Sequence, residues 1–371
     1  MNASERPVRP VKATSARPVP GSKAIVHTTV TRDQWRQLLE VDRDALPTQS
    51  PEWIDSLCAN REYREASRLY EMPDGRRAIL PLVRRAGVLG RLAGLESMPK
   101  SWGFGGLIAS DGVTPDMAGA VLDDLSGPLM CRVRLRPNPM HGSVWAQAVT
   151  GHRSISEVAC RAHVLDLAGG FDVVWRERFR PTTRTKVRRA ERLGVVVHTD
   201  TSGELVGVFH DLLVRSFDRW ADQQHEPRWL ARLRGRRRDP VEKFQTLAAR
   251  LGERCRISVA WYEGRPAAAM LVLRNAHVAH YTRGAMDKPL AARSFANYLL
   301  HKTAIEEACN SGCRLYHMGE SGASVGLSQF KAHFGASCHP YAEYRIERVP
   351  VSRVDGIVRT TVKRAIGFRD V

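Results

Sequence analysis

The residues best suited to chemistry lie near the C-terminal end of the chain, in the segment Ser328–Gly335. Lys331 stands there between Phe330 and Phe334, so its aliphatic stem can pack on the aromatic rings while its ammonium group reaches a phosphate or a carboxylate. A surface lysine on an amphipathic helix is the alternative interpretation. The pattern makes Lys331 the first candidate for a functional residue.

A second group of candidates lies on the predicted strand His277–Gly284. Alternation of side chains along a strand places His280 on one face and Tyr281 with Arg283 on the other, and we expect one of these faces to line a cleft. A histidine that titrates near neutral pH suits a general base, although a packed surface histidine is the alternative. His280 and Tyr281 are therefore catalytic candidates.

Glu320 follows the predicted strand Arg314–Gly319, and ligand sites in α/β proteins collect at the carboxyl ends of strands. Its carboxylate is a candidate for a general base or for a group that binds the acceptor. A polar turn between glycines is the alternative.

Two clusters of cations are candidates for binding phosphates or tRNA. The first is on one face of a predicted helix and consists of Arg184, Lys186, Arg188 and Arg189. The second is in the segment Ala221–Pro240, which we predict to be a loop, and consists of Arg234, Arg236, Arg237 and Arg238. Solvated surface charge is the alternative for both.

The elements that must position these residues are read from hydrophobic periodicity. An antiparallel meander is predicted by three runs, Ile257–Glu263, Ala267–Arg274 and His277–Gly284. A helix over Ser294–Asn310 follows, with Ser294 as its N-cap beside any bound pyrophosphate. The segment Ser328–Gly335 is expected to be a loop.

The order strand–helix–helix–strands–helix–strand occurs twice, once before and once after about residue 150. In the first half it includes a hairpin around Pro73-Asp74-Gly75 and a strand over Val144–Thr150 that closes the sheet. We therefore predict a disordered basic tail over residues 1–23 and two domains over 24–150 and 151–346. Residues 347–371 are predicted to form a basic amphipathic tail that lies on an acidic membrane surface or packs on the first domain.

Composition limits the class of protein. The chain has 371 residues, of which 43% are hydrophobic and 26% charged, which favours a globular protein of two domains. The formal charge of +18 favours anionic partners, although arginine-rich coding is an equal alternative. Seven scattered cysteines, no secretory signal and no long apolar run predict a protein of the cytoplasm without a metal site or a transmembrane segment.

Several short motifs resemble one family of enzymes in their order and spacing. Phe330-Lys331-x-x-Phe334-Gly335 resembles its Phe-Lys-x-x-Phe-Gly element, and the run Phe179–Arg192 resembles its basic helix with an Arg-Arg-Ala core. Pro51-Glu52-Trp53 resembles its opening helix. Over roughly residues 25–346 the chain is similar to Fem-type peptidyltransferases and to the acetyltransferase-like domain of polysaccharide-biosynthesis proteins, both of the GNAT superfamily.

The resemblance implies an α/β (α+β) fold of two tandem GNAT-like domains, each a mixed, mainly antiparallel sheet flanked by helices. It also implies acyl or aminoacyl transfer, usually to an amine, from acyl-coenzyme A or aminoacyl-tRNA as co-substrate. The candidate catalytic residues are Lys331, Glu320, His280 and Tyr281. Substrate-binding roles fall to Arg184, Lys186, Arg188, Arg283 and Phe330.

The chain departs from ordinary coenzyme-A enzymes of this superfamily at the start of the central helix. They carry Arg-x-x-Gly-x-Gly/Ala, whose backbone N–H groups hold the pyrophosphate. The corresponding residues here, which remain the candidates for binding the cofactor, are Arg293, Ser294 and Phe295.

Three hypotheses follow from the sequence. The leading one is an N-acyltransferase that uses acyl-coenzyme A and acts on an anionic envelope glycan or carrier-linked precursor. The second is a Fem-type aminoacyl-tRNA-dependent transferase that acts on a cell-wall precursor. The third is a nucleic-acid-binding protein without catalysis.

Overall fold

The computed structural model describes residues 16–19, 21–59, 61–87, 94–127, 132–150, 152, 154–322 and 324–347. The predicted C-terminal amphipathic tail falls outside these ranges, apart from its first residue, Glu347. So does most of the predicted N-terminal tail, although Ala16–Pro18 within it forms a short strand.

The chain alternates short strands and helices in its first half and has longer elements in its second half. The strands of the described residues are β1 (Ala16–Pro18), β2 (Ile25–His27), β3 (Tyr63–Glu65), β4 (Arg68–Glu71), β5 (Arg77–Leu80), β6 (Val83–Arg85), β7 (Leu95–Glu96), β8 (Ile108–Ala109), β9 (Arg132–Leu135), β10 (Ile155–Asp166), β11 (Val196–Asp200), β12 (Cys255–Tyr262), β13 (Arg265–Arg274), β14 (Val278–Met286), β15 (Leu315–Glu320) and β16 (Ser337–Glu347).

The helices are distributed over the same ranges. They are α1 (Arg32–Val41), α2 (Pro51–Ala59), α3 (Pro115–Leu125), α4 (Gly142–Val149), α5 (Gly170–Val173), α6 (Pro181–Arg192), α7 (Val206–Gln224), α8 (Arg228–Arg238), α9 (Val241–Leu251), α10 (Lys288–Ser294), α11 (Ala296–Asn310) and α12 (Val325–Ala332).

One long sheet runs through both halves of the chain. Within the described residues its order is β11-β12-β13-β14-β15-β10-β16-β9-β7-β6-β3, and a smaller sheet has the order β1-β2-β4-β5-β8. Two neighbouring pairs of the long sheet are parallel, β14 with β15 and β7 with β9, and the other pairs are antiparallel. The predicted mixed, mainly antiparallel α/β architecture is therefore confirmed.

The closing strand of each half crosses over to the other half. Strand β10 follows the first half but pairs with β15 of the second, and β16 ends the second half but pairs with β9 of the first. The two closing strands also pair with each other, from Ile155 opposite Ile346 to Val164 opposite Ser337. The proposed division near residue 150 thus falls just before β10, one of the two strands that join the halves.

Helices cover the second half of the sheet on both faces. Along β13, Ala269, Leu271 and Leu273 face a core that contains α7 and α9, whereas Met270 and Val272 face a core that contains α11. Burial on both faces explains why this strand is a continuous apolar run. The α7 and α9 core also takes in residues of α1 and α2, so the two halves share it.

Local sequence signals in the first half predict three of its features correctly. Thr31 caps α1 by accepting a hydrogen bond from the backbone N–H of Gln34, and α2 begins at Pro51. The turn at Gly75, with φ of 85°, joins β4 to β5 as the hairpin signal predicts. Its left-handed backbone suits glycine.

Four local predictions were wrong. The segment Val144–Thr150 is helical, because its apolar residues Trp145 and Val149 recur four apart and are buried. The basic segment Ala221–Pro240 is the end of α7 and all of α8. Ser294 ends α10 instead of capping α11, since its Oγ bonds the carbonyl of Leu290 at 2.7 Å. The segment Ser328–Gly335 is mostly α12, which Ser324 caps.

A buried ion cluster joins the first half to the second. The Nζ atom of Lys243 lies 2.7 Å from Asp239 Oδ1 and 4.0 Å from the centre of the Trp102 ring. Arg283 contacts the same carboxylate at 3.3 Å and also donates to the backbone carbonyl of Ser101. Burial lowers the pKa of Lys243 to about 8, although Asp239 opposes that shift.

We predict that Asp239→Ala lowers the free energy of unfolding by about 3–5 kcal/mol, because it leaves Lys243 buried without a counter-charge. Chemical denaturation followed by circular dichroism measures this loss. The matched control is Asp172→Ala, which removes an exposed carboxylate 3.9 Å from Arg176 and should leave stability nearly unchanged. Equal effects of the two substitutions would contradict the assignment.

Candidate active site

The candidate site begins where two parallel strands separate. Strand β14 pairs with β15 only from Val278 opposite Leu315 to His280 opposite His317 within the described residues. Beyond that point β15 stays bonded to β10 on its other side, with Glu320 opposite Ala162. The backbone edges of β14 and β15 therefore face an opening in the middle of the sheet.

Lys331 lies at this opening. Its side chain is buried, with a residue exposure of 2%, and its Nζ donates hydrogen bonds to the backbone carbonyls of Gly319 at 3.0 Å and Glu320 at 2.6 Å. These carbonyls belong to the end of β15, past its last pair with β14. Burial lowers the pKa of Lys331 to about 7, although the Glu320 carboxylate opposes the shift. The neutral amine is therefore well populated at neutral pH.

Both the charged and the neutral form of Lys331 can make its two hydrogen bonds. A neutral amine has two N–H donors, and Lys331 directs its Nζ at two carbonyl oxygens. One lone pair then remains to accept a proton. A neutral amine with a pKa of about 7 is chemically able to accept a proton at neutral pH, and general-base catalysis is most efficient when the pKa of the base is close to the pH.

Glu320 is held by groups from outside its own strand. Its carboxylate accepts hydrogen bonds from the Arg136 guanidinium and from the Tyr341 hydroxyl. The guanidinium of Arg136 also lies 5.2 Å from the centre of the Phe104 ring. Arg136 and Phe104 come from the first half of the chain, so Glu320 connects the halves beside Lys331. Its predicted catalytic role stays a prediction.

A β-bulge changes the faces of β14. The register with β13 shifts so that Leu271 opposes Arg283 and Val272 opposes Tyr281. Arg283 therefore points to Ser101 and donates to its backbone carbonyl. The loop that contains Ser101 also contains Phe104, whose ring contacts that of His280. The prediction that Arg283 shares a face with Tyr281 was wrong, because the extra residue breaks the alternation.

His280 lies in an aromatic cluster instead of an open cleft. Its ring is 4.7 Å from that of His317 and 5.5 Å from that of Phe104. Burial, with the charges of Arg283 and Lys331, lowers the pKa of His280 to about 3. At neutral pH it is a far weaker base than Lys331.

Tyr281 faces α11. Its ring lies 4.9 Å from that of His301, and burial raises its pKa to about 12. A Cβ atom at Gly284 would lie 2.0 Å from the Tyr281 hydroxyl, so the close approach of this tyrosine requires glycine there. The phenol stays protonated and can serve as a hydrogen-bond donor.

The start of α11 has no glycine cradle. Phe295 separates α10 from α11 with a φ of 56°, and Ser294 is fully buried. The side chain of Arg293 is 61% exposed and pairs with Glu263 on the surface. Of the three residues predicted to bind the cofactor, only Phe295 faces the neighbouring basic helix.

That basic helix, α6, directs two cations at the first turn of α11. Lys186 donates to the Tyr298 hydroxyl at 2.9 Å, and the guanidinium of Arg189 lies 5.0 Å from the Phe295 ring centre. The N-terminus of a helix and two cations together favour phosphate. Phe330 packs on Tyr298, with ring centres 5.2 Å apart.

The remaining basic residues of α6 have other surroundings. Arg184 donates to the backbone carbonyls of Trp175, Arg176 and Phe179 at 2.6–3.1 Å, so it stabilises the end of the preceding helical turn. Arg188 is exposed. The structure thus brings Lys186 and Phe330 together and leaves Arg184 and Arg188 outside that group.

Sequence reasoning missed several residues of the site. His163 bonds Ser321 at 2.9 Å and Ser328 at 3.0 Å, which fixes α12 beside the end of β15. Arg136 and Tyr341 hold Glu320. No local signal identifies these residues, since each lies far along the chain from its partner.

Comparisons with known proteins agree with this geometry. A family model described as an acetyltransferase (GNAT) domain matches residues 177–332. The crystal structure of FemX is 10% identical, covers 88% of this chain and 98% of its own, and has a TM-score of 0.64. A conserved protein of unknown function from Bacteroides thetaiotaomicron is 11% identical, with coverages of 85% and 97% and a TM-score of 0.52.

A third structure is the C-terminal domain of a protein assigned as a lysylphosphatidylglycerol synthetase from Agrobacterium fabrum. It is 14% identical, covers 90% of this chain and 98% of its own, and has a TM-score of 0.50. At these identities the structures show a shared fold. No protein with a curated description matches the chain in sequence.

The parallel strands β14 and β15, which separate at the opening, both lie inside the segment that the family model matches. Residues 177–332 match the model of a GNAT acetyltransferase domain, which supports an acyltransferase, and the chain shares the fold of FemX.

Proposed function

We propose that this enzyme transfers an acyl group from acyl-coenzyme A to an amine on an anionic cell-envelope glycan or carrier-linked precursor. The observation that carries the proposal is the position of Lys331, whose amine lies at the opening between β14 and β15. The name of the Agrobacterium structure, which refers to a phospholipid, supports an acceptor of the envelope. The donors are cytoplasmic molecules, so we place the reaction in the cytoplasm.

In the proposed reaction, Lys331 takes up one proton from the acceptor. The neutral Lys331 takes a proton from the acceptor ammonium group, and the freed amine attacks the thioester carbonyl carbon. The C–N bond forms, and the tetrahedral intermediate collapses as the C–S bond breaks. The second proton of the amine goes to the departing thiolate, and Lys331 later releases its proton to solvent.

The donor's phosphates are assigned to α6. Lys186 and Arg189 face the first turn of α11, where ordinary coenzyme-A enzymes of this superfamily use glycine N–H groups. Side-chain cations would replace those backbone donors. Arg283, which contacts Asp239 and the Ser101 carbonyl, would have an architectural role.

An aminoacyl-tRNA donor is the second candidate function. The observation that favours it is the absence of the glycine cradle at Arg293–Phe295, since a tRNA needs cations for its phosphates but no pyrophosphate pocket. The same base would serve, because an aminoacyl ester is attacked in the same way as a thioester. Only the donor and the leaving hydroxyl differ.

We predict that kcat rises with pH through about 7, because Lys331 must lose its proton to act as a base. Lys331→Met should lower kcat by about 10²–10⁴-fold and abolish this rise. Steady-state kinetics over a pH series measure both effects.

The control for that prediction is Lys331→Arg, which keeps N–H donors for the two carbonyls but has no accessible lone pair. If the arginine variant kept its activity and pH profile, Lys331 would be an anion-binding residue and the base assignment would be wrong. The thermal midpoint of each variant separates loss of chemistry from loss of fold.

We predict that acyl-coenzyme A raises the thermal midpoint of the wild-type chain. Lys186→Gln combined with Arg189→Gln should weaken donor binding about tenfold or more, whereas Arg192→Gln, on the same helix, should leave it unchanged. Titration calorimetry with a panel of acyl-coenzyme A donors measures this. Stabilisation by charged tRNA alone would transfer the assignment to the second candidate.

A further inference from the structure

Helix α8 is fixed closely against α7 by its small residues. Ala231 and Gly235 are its buried positions, and a Cβ atom at Gly235 would lie 2.4 Å from the ring of Phe217. Only glycine allows this approach. The orientation of α8 about its own axis is therefore defined.

Ion pairs reinforce that orientation and use up the nearby carboxylates. Three arginines of α8 pair with acids of α7 or of the turn that follows it: Arg228 with Asp222 at 2.7 Å, Arg232 with Asp218 at 2.6 Å and Arg234 with Glu226 at 2.6 Å. The acids that could neutralise this helix are thus on its inner side.

The opposite face of α8 combines apolar and cationic side chains. Trp229 is 68% exposed and Leu233 is 43% exposed. Arg236 and Arg237 are also exposed, and neither has a carboxylate partner among the residues that the structure describes. Positions 229, 233, 236 and 237 lie on one stripe at helical spacing, turned away from Ala231 and Gly235. We call these four residues the outer stripe of α8.

A cationic cleft lies beside the outer stripe. It has a volume of about 620 Å³ and lies between α8 and the first half of the chain, with Arg234 and Arg237 on one wall and Arg85 on the other. Among the described residues, its lining contains one acidic side chain, Glu62. The positive potential of the stripe therefore continues into a concave surface.

We propose that the outer stripe docks the enzyme on an anionic lipid bilayer. Trp229 and Leu233 would enter the boundary between headgroups and acyl chains, and Arg236 and Arg237 would contact lipid phosphates. Nucleic acid could use the arginines and stack on Trp229, but it would gain little from an exposed leucine. Charge complementarity and the exposed leucine together favour a membrane surface.

The proposal adds a location to the proposed function without depending on it. A docked α8 would bring its cationic cleft to the membrane surface, where the phosphate of a lipid-carried acceptor is found. No helix of the described residues is long and apolar enough to span a membrane.

The test is sedimentation of the full chain with vesicles at near-physiological salt. We expect binding to phosphatidylcholine vesicles that contain about one-third phosphatidylglycerol and little binding to pure phosphatidylcholine. Arg236→Gln with Arg237→Gln should weaken the partition coefficient roughly 30-fold. Trp229→Ala with Leu233→Ala should weaken it at least about tenfold.

Matched controls separate the stripe from the general positive charge. Arg192→Gln with Arg250→Gln removes the same charge from exposed positions on α6 and α9 and should change binding less than about threefold. Transfer of acyl groups to a soluble amine should be unchanged in the stripe variants, which distinguishes failed docking from a failed active site. Three results would each overturn the proposal. They are no binding to the anionic vesicles, equal losses in the stripe and control variants, and stripe substitutions that weaken binding to RNA but leave binding to vesicles unchanged.

Discussion

The candidate active site depends on one constraint, the pairing of β10 and β16 across the two halves of the chain. Strand β10 pairs with the edge of β15 that faces away from β14, and β16 joins β10 to the first half of the sheet. With one edge of β15 satisfied by β10, the other edge can part from β14 after His317 without loss of the strand. An opening in the centre of a continuous sheet is the result.

At the opening, two backbone carbonyls of β15 need hydrogen-bond donors, and Lys331 provides them. Buried backbone carbonyls without partners are costly, and the carbonyls of Gly319 and Glu320 accept hydrogen bonds from the Nζ of Lys331. The same burial that demands these hydrogen bonds lowers the pKa of the lysine. The packing of the opening and the proposed reactivity of Lys331 therefore depend on one desolvated contact, so that removing the side chain should affect both.

Much of this organisation could be predicted from local pattern, and the rest depends on distant residues. The meander β12–β14 and helix α11 follow from apolar runs, and the Phe-Lys element makes Lys331 a candidate, whose role stays a prediction. The bulge that turns Arg283 away from Tyr281 and the break at Phe295 have no such signature. Arg136 reaches Glu320 across 184 positions of sequence, and only folding brings them together.

The histidines around Lys331 explain why the lysine is the better base. Burial, together with the charge of Lys331, lowers the pKa of His301 to about 3 and that of His163 to about 4. The imidazoles stay neutral at neutral pH, because each would have to hold a buried charge next to an ammonium group. Lys331 has two carbonyls and the carboxylate of Glu320 to stabilise its charge. Lys331 is therefore the first of these groups to take up a proton as the pH falls, which keeps the order of the free side chains although burial lowers the pKa of each.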